Sequence, residues 1–199
     1  NSSSPFLTTL FSLSNQSLWS NLHADNNGDW IMDSLLNETL DICSDGSFMP
    51  DLSQTACSGA FIIQCRESKQ EIRACFTDNS LSGDNYRGEL LGALGPLLII
   101  KAAIQANPQL TSDNFEDVTV RLHCDNKGVV LHGNEPNTSL KDGQVQADLI
   151  RLLKQYTRQI TVKVEFVHIK AHSDDTTAFH LLTPLQQLNV RCDGMAKVT

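Results

Sequence analysis

The sequence has no long apolar run. Its most apolar stretch, residues 97–100 with their immediate flanks, falls far short of the roughly 18 residues that suggest a membrane span, so a soluble chain without a membrane partner is expected. It also lacks the basic start and apolar core of a signal peptide, and it begins at Asn1 rather than Met, which reads as a piece of something longer that acts inside the cell. None of the six cysteines (Cys43, Cys57, Cys65, Cys75, Cys124, Cys192) stands in a Cys-x-x-Cys pair, and the histidines are not spaced with them as structural zinc ligands. Small buried thiols in a reducing compartment are the simpler reading. Asn15, Asn37 and Asn137 match the glycosylation tripeptide, a pattern that arises readily by chance in Ser- and Asn-rich sequence.

Basic residues are scarce: 15 Lys and Arg stand against 23 Asp and Glu, a net charge of −8. A uniformly acidic surface would argue against a partner made of phosphates, because nucleic-acid binding rests on basic patches and counterion release. The charge is not uniform. Residues 1–43 carry five acids (Asp25, Asp29, Asp33, Glu38, Asp41) and no base, which leaves 18 acids against 15 bases for the rest. With 199 residues, 40% of them hydrophobic and 19% charged, the chain has room for one globular core and an appendage.

Residues 1–38 form a compositional block, rich in Ser, Asn and Leu, in which only Trp30, Ile31, Leu35 and Leu36 have helical spacing. We read this block as a leader or connection packed on the main domain, residues 39–199. There the pattern predicts a strand from Leu40 into Ser44-Asp45-Gly46-Ser47, then strands over 56–65 and 71–76 at hairpin spacing. A long amphipathic helix is expected over 86–105, stopped by Asn107-Pro108, with Gly88, Gly92, Gly95 and Pro96 allowing close packing or a kink. A strand at Val118, Val120 and Leu122 ends at Cys124-Asp125. Helices over 127–131 and 144–159, a strand over 162–168 and a final helix over 185–198 complete the pattern. Strands first, then strands alternating with helices, predict an α/β fold with a five-stranded mixed sheet, three strands antiparallel and two parallel.

Four carboxylates stand at the ends of these elements. Asp45 ends the first strand, Glu89 lies in the first turn of the long helix, Asp125 ends the fourth strand and Asp193 lies in the last helix, spaced 44, 36 and 68 residues apart. Ligands of open α/β sheets bind at such strand ends. Clustered carboxylates repel one another unless a cation is present, so convergence would ask for a hard ion such as Mg²⁺ or Mn²⁺. Individually, a strand-end Asp starts turns and a Glu near a helix start favours the helix dipole.

Taken in order, Asp45-Gly46-Ser47, Tyr86-Arg87-Gly88-Glu89-Leu90, Leu122-His123-Cys124-Asp125-Asn126, Val167-His168-Ile169-Lys170-Ala171-His172 and Asn189-Val190-Arg191-Cys192-Asp193 resemble the ribonuclease H family. The resemblance spans residues 39–199 and is nearest to the ribonuclease H domains of retroelement polyproteins, beside a reverse transcriptase. It implies a ribonuclease H-like fold and an endonuclease that hydrolyses the RNA strand of RNA·DNA hybrids to 5′ phosphate and 3′ hydroxyl products. It makes Asp45, Glu89, Asp125 and Asp193 the ligands of two ions, one activating the attacking water and one stabilising the departing oxygen. His172 matches the family's mobile histidine near the scissile phosphate, where an imidazole moves protons or helps product leave.

Substrate contacts are expected from Gly46, Ser47, Asn85, Tyr86, Arg87 and Asn126, with Lys170 and Lys127 toward phosphates, since a hybrid is recognised by shape and 2′ hydroxyls. Arg87 reads equally well as a structural ion-pair partner. His123 and His168 read as packing residues or as neighbours that support the ligands, and not as ligands themselves. The sequence departs from some free-standing members in having no strongly basic helix: residues 127–159 hold only Lys127, Lys141, Arg151, Lys154 and Arg158, so weak grip in isolation is expected. The segment 173–192 brings two further acids, Asp174 and Asp175, read as loop solvation. Two other readings stay open: a DNA-acting nuclease or transposase of the same fold, and a non-catalytic module that keeps the fold alone.

Overall fold

The computed structural model describes residues 4–198. Among them six α-helices and six strands follow in the order α1 (Pro5–Leu13), β1 (His23–Ala24), α2 (Ile31–Leu36), β2 (Leu40–Phe48), β3 (Cys57–Cys65), β4 (Glu71–Asp78), α3 (Asn85–Gln105), β5 (Thr119–Cys124), α4 (Lys127–Asn134), α5 (Ala147–Gln159), β6 (Lys163–His168) and α6 (Pro184–Val198), with short 3-10 turns between them. The sheet runs β1-β4-β3-β2-β5-β6. β2, β3 and β4 pair antiparallel, and β5 and β6 continue the sheet parallel to β2, as the strand pattern predicts. The sheet has six strands rather than five: His23 and Ala24 pair antiparallel with Arg73 and Ile72. Two residues are too few for a readable period-2 pattern, which is why the sequence hides β1.

Asparagine side chains close β4, beside the two-residue β1, and the outer strand β6. Asn21 donates from Nδ2 to Cys75 O at 3.1 Å and accepts from Cys75 N at 3.0 Å on β4. Asn134 does the same to Phe166 of β6, with both bonds at 2.8 Å. Each amide thus takes up an edge residue's free N–H and C=O, which would otherwise template pairing with another chain.

Alternation along β2 divides the molecule. Ile42 faces the larger core, which is covered by α1, α3, α4 and α5, while Cys43 faces a smaller one with Ile62, Leu188 and Cys192 under α6. Residues preceding β2 enter the larger core directly. Phe6, Leu10, Trp19, Ile31, Met32 and Leu35 are all buried in it, and Trp19 meets Phe76 and Phe61 edge-on at 5.2 and 6.3 Å.

Two expectations need correction. α3 is not amphipathic: it is buried on nearly every side, between the sheet and helices α1 and α5, and it runs unbroken through Pro96. By length and composition it is apolar enough to cross a membrane, and that apolarity faces protein. The helix expected over 144–159 starts later, at Ala147, because Gln146 takes a left-handed conformation with φ 59°. All six cysteines carry free thiols, five of them buried.

Candidate metal centre

β2 and β5 are parallel neighbours that pair Ile42 with Leu122 and Cys43 with His123. Continuing that register past the end of β5 sets Asp45 beside Asp125. Glu89 arrives from α3, which lies against β2 and β3 through glycines. A Cβ on Gly46 would stand 2.2 Å from Glu89 N, and one on Gly92 would stand 2.5 Å from Asp45 O. Any side chain at either position would hold the helix off the sheet and Glu89 away from Asp45. Oxygens of Asp45, Glu89 and Asp125 consequently lie within 4.8 Å of one another.

The electrostatics follow from the crowding. Burial first, and then repulsion from Asp125, raises the Asp45 carboxyl well above the usual carboxylate range, although Gly46 N donates to its Oδ1 at 2.8 Å. Glu89 is raised further, by burial and then by the charges of Asp45 and Asp125. Glu89 is only 3% exposed, and its Oε2 has no hydrogen-bond partner. An unpaired carboxylate oxygen inside a protein is costly. Three hard oxygen donors, one of them orphaned, fit a divalent cation of the Mg²⁺ or Mn²⁺ kind.

These carboxylates form one wall of a cavity of about 430 Å³. Asp193 and Lys197 of α6 line it as well, with Gly46, Ser47, Phe48, Asn85, Asn126, Ala171 and His172. α6 is held to the sheet by hydrogen bonds from Cys192 Sγ to Cys43 O at 3.4 Å, from Cys43 Sγ to Leu185 O at 3.5 Å, and from Ser58 Oγ to Ala196 O. His172 is exposed, in a left-handed conformation with φ 55° at the start of a short 3-10 turn.

Among the expected substrate contacts, Gly46, Ser47, Asn85 and Asn126 face the cavity, and Asn126 also caps α4 by accepting from Val129 N at 3.0 Å. Tyr86, Arg87 and Lys170 are not among its lining residues. Tyr86 packs against the larger core. The Arg87 guanidinium is engaged elsewhere, by Asp78, by Gln146 Oε1 at 2.9 Å and by Asp148 at 3.0 Å, which is the ion-pair reading of that residue. His123 is half-buried and donates from Nδ1 to Ile42 O, 3.1 Å away, and burial lowers its pKa. Lys197 was not anticipated. The signal available for it was its helical i,i+4 spacing from Asp193.

No protein-family model and no curated protein matches the sequence. Solved structures do. A ribonuclease H1 isolated from compost by a metagenomic approach matches with a TM-score of 0.52 and 12% identity, over 80% of this chain and 94% of that one. The same enzyme in complex with an RNA/DNA hybrid gives a TM-score of 0.44 and 14% identity over 80% and 95%. The ribonuclease H domain of prototype foamy virus gives 0.49 and 11% over 80% and 93%. The similarity to the compost enzyme agrees with the strand order, in which three antiparallel strands are followed by two parallel ones under a buried helix. This chain has the ribonuclease H fold.

Proposed function

We propose that the chain is a divalent-metal-dependent endonuclease that hydrolyses the RNA strand of RNA·DNA hybrids, within a retroelement polyprotein that also carries a reverse transcriptase. One observation carries this reading: Asp45, Glu89 and Asp125 come within 4.8 Å of one another around a buried, unpartnered Glu89 Oε2. A purely structural cluster would pair its oxygens with donors from other groups, whereas Glu89 Oε2 has no such donor and faces only other carboxylates.

Asp45, Glu89, Asp125 and Asp193 would hold two Mg²⁺ or Mn²⁺ ions. When bound, such ions supply Lewis-acid activation of water and charge neutralisation at the departing oxygen. The chain's own residues do the rest. Ser47, Asn85 and Asn126 present short polar groups at the cavity, suited to 2′ hydroxyls and sugar edges in a shallow minor groove. Exposed His172 exchanges protons with solvent and with a phosphate seated beside the carboxylates. Without the four ligands, residues 44–199 carry 14 acids against 15 bases, so neighbouring domains supply much of the hold on substrate. Six free thiols suit a reducing intracellular compartment.

The test is cleavage of a labelled RNA·DNA hybrid in Mg²⁺ and in Mn²⁺, beside duplex DNA. Wild type is expected to cut the RNA strand, and Asp45→Asn or Asp125→Asn to lose at least about 100-fold, since even outer-shell changes at metal sites cost 10- to 100-fold. Equal cutting of duplex DNA would assign a DNA-acting nuclease. Binding of the hybrid without cleavage in either metal would assign a non-catalytic module.

A further inference from the structure

Lys197 stands one helical turn after Asp193 on α6, and its Nζ lies 2.6 Å from Asp193 Oδ2. Both side chains line the cavity of the three inner carboxylates. Asp193 does not belong to the close set formed by Asp45, Glu89 and Asp125. Its charge is answered by the ammonium instead. The Lys197 side chain is 56% exposed and that of Asp193 26%, so the pair sits where water and ions reach it. A helical pair at such exposure is weak and opens readily.

Resting on the metal-dependent reading above, we propose that Lys197 is a positioning residue: an internal counter-cation that occupies Asp193 and must be displaced before Asp193 can join the ligands of a divalent ion. The two ions then bind unequally. The one held by the inner three carboxylates meets no competitor from the chain, whereas the one that needs Asp193 competes with the ammonium and binds more weakly. The exposed, flexible lysine stem lets the ammonium swing into water without disturbing α6.

Calorimetric titration of Mn²⁺ into the substrate-free chain tests this, with Lys197→Met, Lys197→Arg and the same changes in an Asp193→Asn background. Lys197→Met is expected to tighten the weaker binding event at least about fivefold, the effect of one unit charge about 4 Å away in a water-like dielectric. Lys197→Arg keeps wild-type affinity. In the Asp193→Asn background the Lys197 effect disappears, because the cycle removes the coupling. Equal melting temperatures in EDTA establish that the variants are folded. If wild type binds Mn²⁺ and Lys197→Met binds it equally or more weakly, the inference is overturned while the metal-dependent reading stands. The same holds if the tightening persists with Asp193→Asn. If wild type takes up no divalent ion at all, the metal-dependent reading fails and this inference falls with it.

Discussion

Glu89 and Asp45 are two acids folded into a place that disfavours their ionised forms, and stability must register this. Their folded pKa values lie above those of the unfolded chain, so at intermediate pH the folded state holds more protons than the unfolded state. Stability of the metal-free protein therefore falls as pH rises from about 4, the ordinary carboxylate value, through the raised values. Glu71 and Asp78 have the opposite sign. Hydrogen bonds to Arg191 and Arg87 hold their carboxyls below the usual range against burial, so their contribution is lost as pH drops below about 4. Together they place the stability maximum of the EDTA-treated chain on the mildly acidic side. Between pH 5.5 and 8 its melting temperature should drop by about 3–10 °C, on the scale of a few kcal/mol for a chain of this size. Asp45→Asn should flatten that slope, and added Mg²⁺ should raise the melting temperature more at pH 8 than at pH 5.5. A flat or rising metal-free profile would contradict the crowded-carboxylate account.

Asp45, Glu89, Asp125 and Asp193 stand out at the ends of elements, but each alone is ambiguous and only their order, through the family resemblance, makes them candidate ligands; Glu89 in fact lies beyond the first turn of α3, which starts at Asn85. The engagement of Arg87 was not legible. Its partners Asp78, Gln146 and Asp148 come from distant parts of the chain, and only the folded molecule shows which of two chemically reasonable roles the guanidinium takes.

At the scale of elements, the seam between α3 and the β2-β3 pair decides whether there is a site at all. The glycines in α3 were visible as an offence against helix propensity, but what they accommodate was not. Backbone atoms of the sheet sit where side chains of Gly88 and Gly92 would be, and the rings of Phe61 and Phe76 sit where one of Gly95 would be. Gly92→Ala would improve helix propensity by about 1 kcal/mol. It would also drive a methyl to 2.5 Å from Asp45 O and 3.0 Å from Ala60 O, backbone that has no room to yield. Overpacking of this kind costs about 1–3 kcal/mol, so a net loss of stability is expected, with metal uptake weakened because Glu89 moves with the helix. Gly194 on α6 is the natural control. A Cβ there meets nothing within 4 Å, so Gly194→Ala should stabilise by up to about 1 kcal/mol. Urea unfolding of the two variants should therefore give shifts of opposite sign, and two shifts of the same sign would refute the close-contact explanation.

At the scale of the whole molecule, the division proposed at residue 38 meets the packing of what precedes it. Composition separates residues 1–38 because they hold no Lys or Arg, yet composition reports solvent-facing character and is silent on what the apolar minority touches. Phe6, Leu10, Trp19, Ile31, Met32 and Leu35 lie in the same core as the sheet, and Asn21 together with β1 closes the β4 edge. Full burial of one such side chain contributes about 1.5–3 kcal/mol before the cost of ordering it. Removing six of them would uncover Phe61 and Phe76 and free an edge strand at once. A chain beginning at residue 39 should accordingly melt at least about 10 °C lower than the full chain, given about 2–4 °C per kcal/mol at this size. It should also show concentration-dependent association through the opened β4 edge, detectable by light scattering. The metal ligands all lie after residue 39, so Mn²⁺ uptake by whatever fraction remains folded should persist. Equal melting and a monomeric state for both chains would instead establish residues 1–38 as a separable leader; a paired loss of stability and gain of association would make them the outer layer of a single core.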